Sequence, residues 1–394
     1  MAHIQRRCAN CRRTIPQGTR GCPACAGREA AWVARYRAPD HRERSRSFAR
    51  KADAERFLAS QETKKTTGEW VDPDLSRETL ADFYGRWTRD AAEANDPAAS
   101  TRVKYEGIWR LYLEPRLGTY SLGSITREDV RRTVKAVRSP WQAQETLKLL
   151  RLLLYRAMDG GAIGRNPAAR IEPPDAPRTA VRVLRPQELA AVADALPDRW
   201  RAFVLLGAYS SLRWSELVAL RRDDLDLDAR TVEVDEKLVE VRGEWVWGEP
   251  KTAGSARTVH LPQLVVRPLA EHLLRFPPLH DQEDCRLQGL MFYGERGGPV
   301  RRHSFRRVWD RACRQTGIEP IRLEWLRHTG ASLAYAASHD LKAVAERLGH
   351  TSVRMVDSVY VRLYEETSRE LADAIDALVE RASRVRRGTD AGRS

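Results

Sequence analysis

The polar and apolar positions change period several times along the chain, and each change marks a different kind of element. Trp32-Val33-Ala34-Arg35-Tyr36-Arg37 alternates large apolar and basic residues, Pro39-Asp40 supplies a turn, and Arg42 to Phe48 continues the alternation. This predicts a basic β-hairpin. A helix follows from about Ala52 to Thr66 and stops at Gly68. From Ser76 the period becomes helical, with Leu80, Phe83, Tyr84 and Trp87 on one stripe and Tyr105, Ile108, Trp109 and Tyr112 on the next. Thr126 reads as the N-cap of a third helix running to Arg138. Pro140 opens a fourth, whose Leu147, Leu150, Leu154 and Ala157 form a seam ending at Gly160-Gly161. These stripes predict a helical bundle whose aromatic residues belong to the core.

Pro173-Pro174-Asp175-Ala176-Pro177 cannot continue a helix and separates the bundle from a mixed region. There, Gln187 to Leu196, Arg201 to Tyr209 and Trp214 to Leu220 read as helices. Thr231 to Val241, Trp245 to Gly248 and Arg257 to Leu261 read as one small antiparallel sheet, and helices dominate afterwards. The fold class expected is mainly α with small β-sheets. The expected divisions are a cysteine-bearing segment over 1–28, a hairpin and helix over 29–70, a helical domain over 76–172, a linker over 173–182, a mixed α+β domain over 183–380 and a basic tail over 381–394.

Charge sharpens this picture. The formal net charge of the 394 residues is +14, and residues 1–70 hold sixteen Lys and Arg against seven Asp and Glu. A basic excess gathered at one end favours a polyanionic partner, and nucleic acid is the commonest. Apolar runs fall short of a bilayer span and no secretory pattern opens the chain, so a soluble cytoplasmic protein with no membrane partner is expected.

Four of the six cysteines fall as Cys8-x2-Cys11 and Cys22-x2-Cys25; Cys285 and Cys313 stand apart. Paired knuckles of this spacing suit four thiolates around a tetrahedral Zn²⁺. With all four positions filled by protein, such a metal is structural and closed to substrate.

Several short segments of the mixed region carry chemistry. Ser211-Leu212-Arg213-Trp214-Ser215-Glu216-Leu217 sits at a junction between helices, and Glu249 to Thr258 is a turn-rich link with Lys251 at its tip. Leu326-Arg327-His328-Thr329 opens a helix, Leu348-Gly349-His350 closes another, and Tyr360 follows ten residues after His350. Alone, each is an ordinary surface or capping residue. Together and in order, Arg213, Lys251, Arg327, His350 and Tyr360 resemble the active-site pattern of the tyrosine recombinases, the integrase family of phages and mobile elements. The resemblance covers about residues 183–376 and, more weakly, the helical bundle and the N-terminal hairpin.

That resemblance implies a site-specific recombinase that integrates or excises a mobile element through a 3′-phosphotyrosyl intermediate, with Tyr360 as nucleophile. Arg213 and Arg327 would hold the non-bridging phosphate oxygens and neutralise the charge built up there. Lys251 would protonate the leaving 5′-oxygen, His350 would bond the phosphate or share proton traffic, and Glu216 would support the arginine. No cofactor is implied for catalysis. Where the family usually has a histidine three residues before the second arginine, this chain has Glu324. It serves as the base for Tyr360, is paired by Arg213 or Arg327, or points away. Tyr364 is a rival nucleophile, whereas His328 and His339 read as structural or surface residues.

By the same resemblance, residues 76–172 are a core-binding, SAM-like domain that clamps duplex DNA together with the catalytic domain. The N-terminal hairpin resembles an arm-site-binding domain, with Arg35, Arg37, Arg42, Arg44 and Arg46 toward DNA. Partners implied are double-stranded attachment sites, a homotetramer on DNA exchanging C-terminal helices (Leu371, Ile375 and Leu378 share a face), and an accessory directionality factor. The rivals are a type IB topoisomerase-like relaxing enzyme and a DNA-binding regulator without catalysis.

Overall fold

The computed structural model describes residues 2–16, 18–27, 30–39, 41–67, 70–94, 96–177, 180–249, 256–278 and 285–349. The chain divides after Pro177 into two compact units. The first begins with a three-stranded antiparallel sheet in the order β1 (His3–Cys8), β2 (Ala30–Arg37), β3 (Glu43–Phe48). Alternation across β2 puts Trp32, Ala34 and Tyr36 on one face, and helix α1 (Lys51–Thr66) covers that face. Phe57 of α1 meets Tyr36 and Phe48 at ring separations of 5.7 and 5.2 Å.

The hairpin expected from sequence therefore has a third strand, contributed by the cysteine segment. The divisions drawn at 1–28 and 29–70 share one sheet, because all six residues of β1 pair with Ala30 to Arg35 of β2. The signal was weak. His-Ile-Gln-Arg-Arg-Cys has a single large aliphatic residue, so its alternation does not stand out.

The helical part of this unit comprises α2 (Leu80–Glu93), α3 (Ala99–Ile108), a π-helical stretch Trp109–Leu113, α4 (Glu114–Leu117), α5 (Arg127–Lys135) and α6 (Pro140–Asp159). Thr126 and Asp129 close a reciprocal capping box on α5, and Ser139 caps α6 ahead of Pro140. Helix α5 stops at Lys135, short of Arg138, and Val137 beyond it turns into the core. The aromatic stripes pack inward, Tyr84 stacking on Trp109 at 4.1 Å.

The second unit is built on α7 (Pro186–Ala195), α8 (Asp198–Tyr209) and the single turn α9 (Trp214–Leu217). Next come β4 (Leu225–Asp226), β5 (Thr231–Val234), β6 (Lys237–Val241), β7 (Glu244–Gly248) and β8 (Arg257–His260). The chain continues through α10 (Gln263–Arg275), α11 (Cys285–Gln288), α12 (Arg302–Gln315), α13 (Glu324–Ser338) and α14 (Leu341–Leu348). The single sheet read from sequence is two. The run Thr231 to Val241 breaks at Asp235-Glu236, so β4-β5-β8 and β6-β7 form separate ladders. Phe203, Phe292, Phe305 and Trp309 fill the core, joined by Cys313. Among the described residues, no helix is long and apolar enough to cross a membrane.

Candidate active site and metal centre

Arg213 occupies the N-cap of α9, and the first turn decides where its side chain goes. The Arg213 backbone N–H donates to Glu216 Oε2 at 2.9 Å, and its Nη1 donates to Glu216 Oε1 at 2.6 Å. Glu216 is only 2% exposed and also accepts from Arg257 Nη2 at 2.9 Å. Burial pushes this carboxyl up, but the Arg257 and Arg213 guanidiniums more than offset it and hold the group below its ordinary range. A buried carboxylate thus stays ionised and anchors two cations.

Arg327, in the first turn of α13, is carried to the same point from far along the chain. Its Nη1 donates to the Ser211 carbonyl at 2.7 Å and lies 3.9 Å from Glu216 Oε2, while Nη2 donates to the Leu348 carbonyl at 2.6 Å. Close approach of α13 to α8 makes this reach possible. A Cβ on Gly330 would lie 1.8 Å from the Ala208 carbonyl oxygen and 2.5 Å from Ser211 Oγ, so only glycine fits. Ser211 is fully buried at φ +58°, and its hydroxyl has no hydrogen-bond partner among the described residues. Strain is concentrated beside the arginines, a common feature of functional sites.

Two further arginines complete the cluster. Arg257 Nε donates to the Arg347 carbonyl at 2.9 Å; Arg347 itself reaches the Tyr209 carbonyl at 2.5 Å and the His260 carbonyl at 2.9 Å. Burial and the neighbouring Arg257 lower the Arg347 pKa. Arg213, Arg257 and Arg327 thus gather around a single carboxylate, with Arg347 behind them accepting from Arg257 through its carbonyl. Their excess positive charge suits a phosphodiester.

Glu324 opens α13, one turn before Arg327 and His328. Its partner is Arg302 of α12, in direct contact, rather than the Arg213 or Arg327 weighed from sequence, both of which turn toward Glu216. Burial raises the Glu324 carboxyl, yet its own backbone N–H and Arg302 bring it below the usual range. Arg302 also lies over the Trp214 ring, 5.9 Å from its centre, next to Arg213. His328 is pushed down by burial and then by Arg327, which keeps its ring neutral. His339 ends α13 in a left-handed conformation.

Of the five residues in the ordered pattern, the structure brings Arg213 and Arg327 together; Lys251, His350 and Tyr360 lie outside the described residues, as do Tyr364 and the C-terminal helix expected around Leu371, Ile375 and Leu378. Sequence reasoning missed Arg257, Arg302 and Arg347. Arg257 stood inside the turn-rich link, but only the fold reveals that β8 starts there and aims it at Glu216.

In the first unit the four cysteines converge. The sulfurs of Cys8, Cys11, Cys22 and Cys25 all lie within 4.8 Å of one another, with Cys8 to Cys25 at 3.4 Å and Cys11 to Cys22 at 3.3 Å. Tetrahedral zinc–thiolate bonds of about 2.3 Å set sulfur separations of roughly 3.8 Å. The donor set fits. Both knuckles turn alike, since the residue after the second cysteine, Arg12 or Ala26, has φ near +55°, at 58° and 53°. The Cys22 amide donates to the Gly27 carbonyl at 2.9 Å and the Cys8 amide to the Arg13 carbonyl at 2.9 Å. A Cβ on Gly27 would sit 3.3 Å from two of the sulfurs.

The arginines expected on DNA divide between the two faces of the sheet. Arg35 and Arg37 lie opposite α1, Arg35 paired with Glu43. Arg46 lies over the Phe48 and Phe57 rings, and exposed Arg42 belongs to the turn before β3. Arg44 is instead tied to Asp72 at 2.8 Å and Asp74 at 2.6 Å, and lies over Trp70. Its charge joins the sheet to the segment leading into α2.

The phage integrase family model matches residues 182–367. The integrase of Mycobacterium phage FRAT1 is 28% identical over 315 residues, 77% of this chain and 92% of that protein. Tyrosine recombinase XerC of Xanthomonas campestris pv. campestris is 30% identical over 253 residues, 62% of this chain and 70% of that protein. Among solved structures, the Tn1549 transposon integrase in complex with a circular intermediate DNA shares the fold, with a TM-score of 0.65 at 17% identity over 75% of this chain and 99% of that one. These relatives and the family match place the chain among the tyrosine recombinases of the phage integrase family, and it is a site-specific DNA recombinase.

Proposed function

We propose that this recombinase cuts and rejoins double-stranded attachment sites through Tyr360, integrating or excising a mobile element. The observation that supports this most is the convergence of Arg213, Arg257 and Arg327 on buried Glu216, which sets guanidiniums at one point from three separate elements. In the proposed step the Tyr360 oxygen attacks phosphorus and the bond to the 5′-oxygen breaks. A 3′-phosphotyrosyl bond forms, and Lys251 gives its proton to the departing 5′-oxygen. A second 5′-hydroxyl then gives its proton to Lys251, attacks phosphorus and releases Tyr360, which regains its proton from water, with bond count unchanged and no ATP consumed. Arg213 and Arg327 neutralise the charge that develops on the phosphate, and His350 bonds it.

A phenol with a reference pKa of about 10 needs help to ionise. Glu324, held below the usual range by its own backbone N–H and by Arg302, is assigned to Arg302, and the phenol proton passes to water while the cationic pocket stabilises the phenolate left behind. In the same reading, residues 76–172 bind the core site, 183–380 form the catalytic domain, and the N-terminal sheet binds arm sites. The assembly is a tetramer on DNA, served by a directionality factor, in the cytoplasm. A structural Zn²⁺ held by Cys8, Cys11, Cys22 and Cys25 completes it.

The test is strand exchange between two labelled duplexes carrying attachment sites, without ATP. Recombinant products are expected. Relaxation of supercoils without exchange would favour a topoisomerase, and binding without either would favour a regulator.

A further inference from the structure

Resting on the zinc reading above, we infer that the metal is a clamp for β1, and that it thereby builds the third strand of the surface this recombinase lays on DNA. Strand β1 sits at the sheet edge and pairs with β2 along its whole length. Its last residue, Cys8, is one of the four sulfur donors. The chain then turns back, so that Thr14 bridges Arg7 and the Ile15 amide donates to the Arg6 carbonyl at 2.7 Å. Beneath these turns the buried cluster consists of Cys8, Ile15 and Cys22, with Cys11, Cys25 and Ala30 against it. Four of those six residues are the sulfur donors, so the segment has almost no apolar core apart from them. A core of one isoleucine and one alanine is too small to order two turns and an edge strand. A cation shared by four thiolates supplies the missing cross-link.

The strand's side chains show what the clamp serves. Alternation sends Ile4, Arg6 and Cys8 to the face covered by α1, and His3, Gln5 and Arg7 to the opposite face beside Arg35, Arg37, Ser45 and Ser47. On that second face Glu43 is the one carboxylate of the three strands, and Arg35 takes it. Arg37 stands directly across from that Glu43, whereas Arg7 has no carboxylate partner among the described residues and its Nε is buried without a hydrogen bond. Of these two cations, Arg7 stands on the clamped strand, one residue before Cys8. Loss of the metal would therefore remove a phosphate-binding cation and the edge of the sheet together, while the bundle and the second unit keep their own cores.

The experiment uses the full chain with Zn²⁺ as the probe and a random-sequence duplex as the DNA. Elemental analysis is expected to find one zinc per chain; a protein that neither holds nor takes up zinc overturns the metal reading itself. Stripping the zinc with a chelator is expected to speed amide exchange of residues 3–8, leave exchange in residues 140–159 unchanged, and weaken binding to the duplex, with readdition restoring both. Zinc bound stoichiometrically but with exchange of β1 and DNA affinity indifferent to its removal overturns the clamp alone. Arg7→Ala separates folding from contact: it is expected to keep its zinc and its slow β1 exchange while the slope of log affinity against log salt falls by about 1. An unchanged slope overturns the DNA role of the clamped strand.

Discussion

Replacing Glu216 by glutamine keeps the shape of the side chain and removes the charge on which the arginine cluster is built. The carboxylate is 2% exposed, and its contacts are Arg213 at 2.6 Å, Arg257 at 2.9 Å and Arg327 at 3.9 Å. Unit charges at such distances interact by about 4 kcal/mol at an effective dielectric of 20, and desolvation of the carboxylate opposes part of that. The Arg213 contact must be discounted further, because that side chain is 31% exposed and screened by solvent, whereas Arg257 is 8% exposed. Breaking a buried pair costs about 3 to 5 kcal/mol, and the lower end applies here. For a unit of this size, 3 kcal/mol corresponds to a fall in Tm of roughly 6 to 12 °C.

Calorimetry of the full chain is the appropriate assay, because the two units have separate cores and only the second should respond. The acid limb supplies an internal check. Glu216 has a depressed folded pKa, so its contribution is complete above the unfolded value of about 4.3 and is lost as pH falls through the folded value. Glu216→Gln should therefore lose least, relative to the native chain, in strong acid. A Tm shift below about 1 °C at neutral pH, or equal movement of both transitions, would refute the reasoning, since a change of that size is within ordinary surface effects.

Three other substitutions or conditions test neighbouring parts of the site. Arg302→Ala strips Glu324 of its partner and should slow DNA cleavage about tenfold, which is about 1.4 kcal/mol of barrier; adding Glu324→His should restore the rate, and normal cleavage by Arg302→Ala would sink the pairing. Gly330→Ala forces a methyl against the Ala208 carbonyl, so the second unit should lose about 1 to 3 kcal/mol or more in calorimetry, and an unchanged transition would mean that α8 and α13 are not in this contact. His272 and His328 are both lowered by burial, so the second unit is most stable above about pH 6.5 and weakens as pH falls through their folded values. Its transition should drop between pH 7 and 5.5, and a flat profile contradicts the burial of those rings.

How much of this was legible before the structure depended on where the information lies in the chain. Helix caps are local, so Thr126 with Asp129 and Ser139 with Pro140 could be read directly. The pairing of β1 with β2 spans the cysteine loop, and β1 has too few apolar residues to show its period. The split at Asp235-Glu236 is the converse case: two acidic residues interrupt what otherwise reads as one long strand. At the site, Arg213 and Arg327 stood out only through their order with Lys251, His350 and Tyr360, the pattern that resembles the tyrosine recombinases. Arg257 and Arg302 had no such context, because their importance comes from which carboxylate they face, and that is a property of packing. The same reason applies to Arg44, whose pairing with Asp72 and Asp74 comes from outside the hairpin and has no local signal.

Covalent capture tests the central claim most directly. A duplex attachment site nicked just beyond the scissile phosphate loses its short 5′-hydroxyl fragment after cleavage, so rejoining fails and any phosphotyrosyl adduct accumulates. The native chain should form a denaturation-resistant protein–DNA adduct whose single modified peptide contains Tyr360, and Tyr360→Phe should bind the same duplex and form none. An adduct that persists in Tyr360→Phe, or one mapped to Tyr364, would contradict the account.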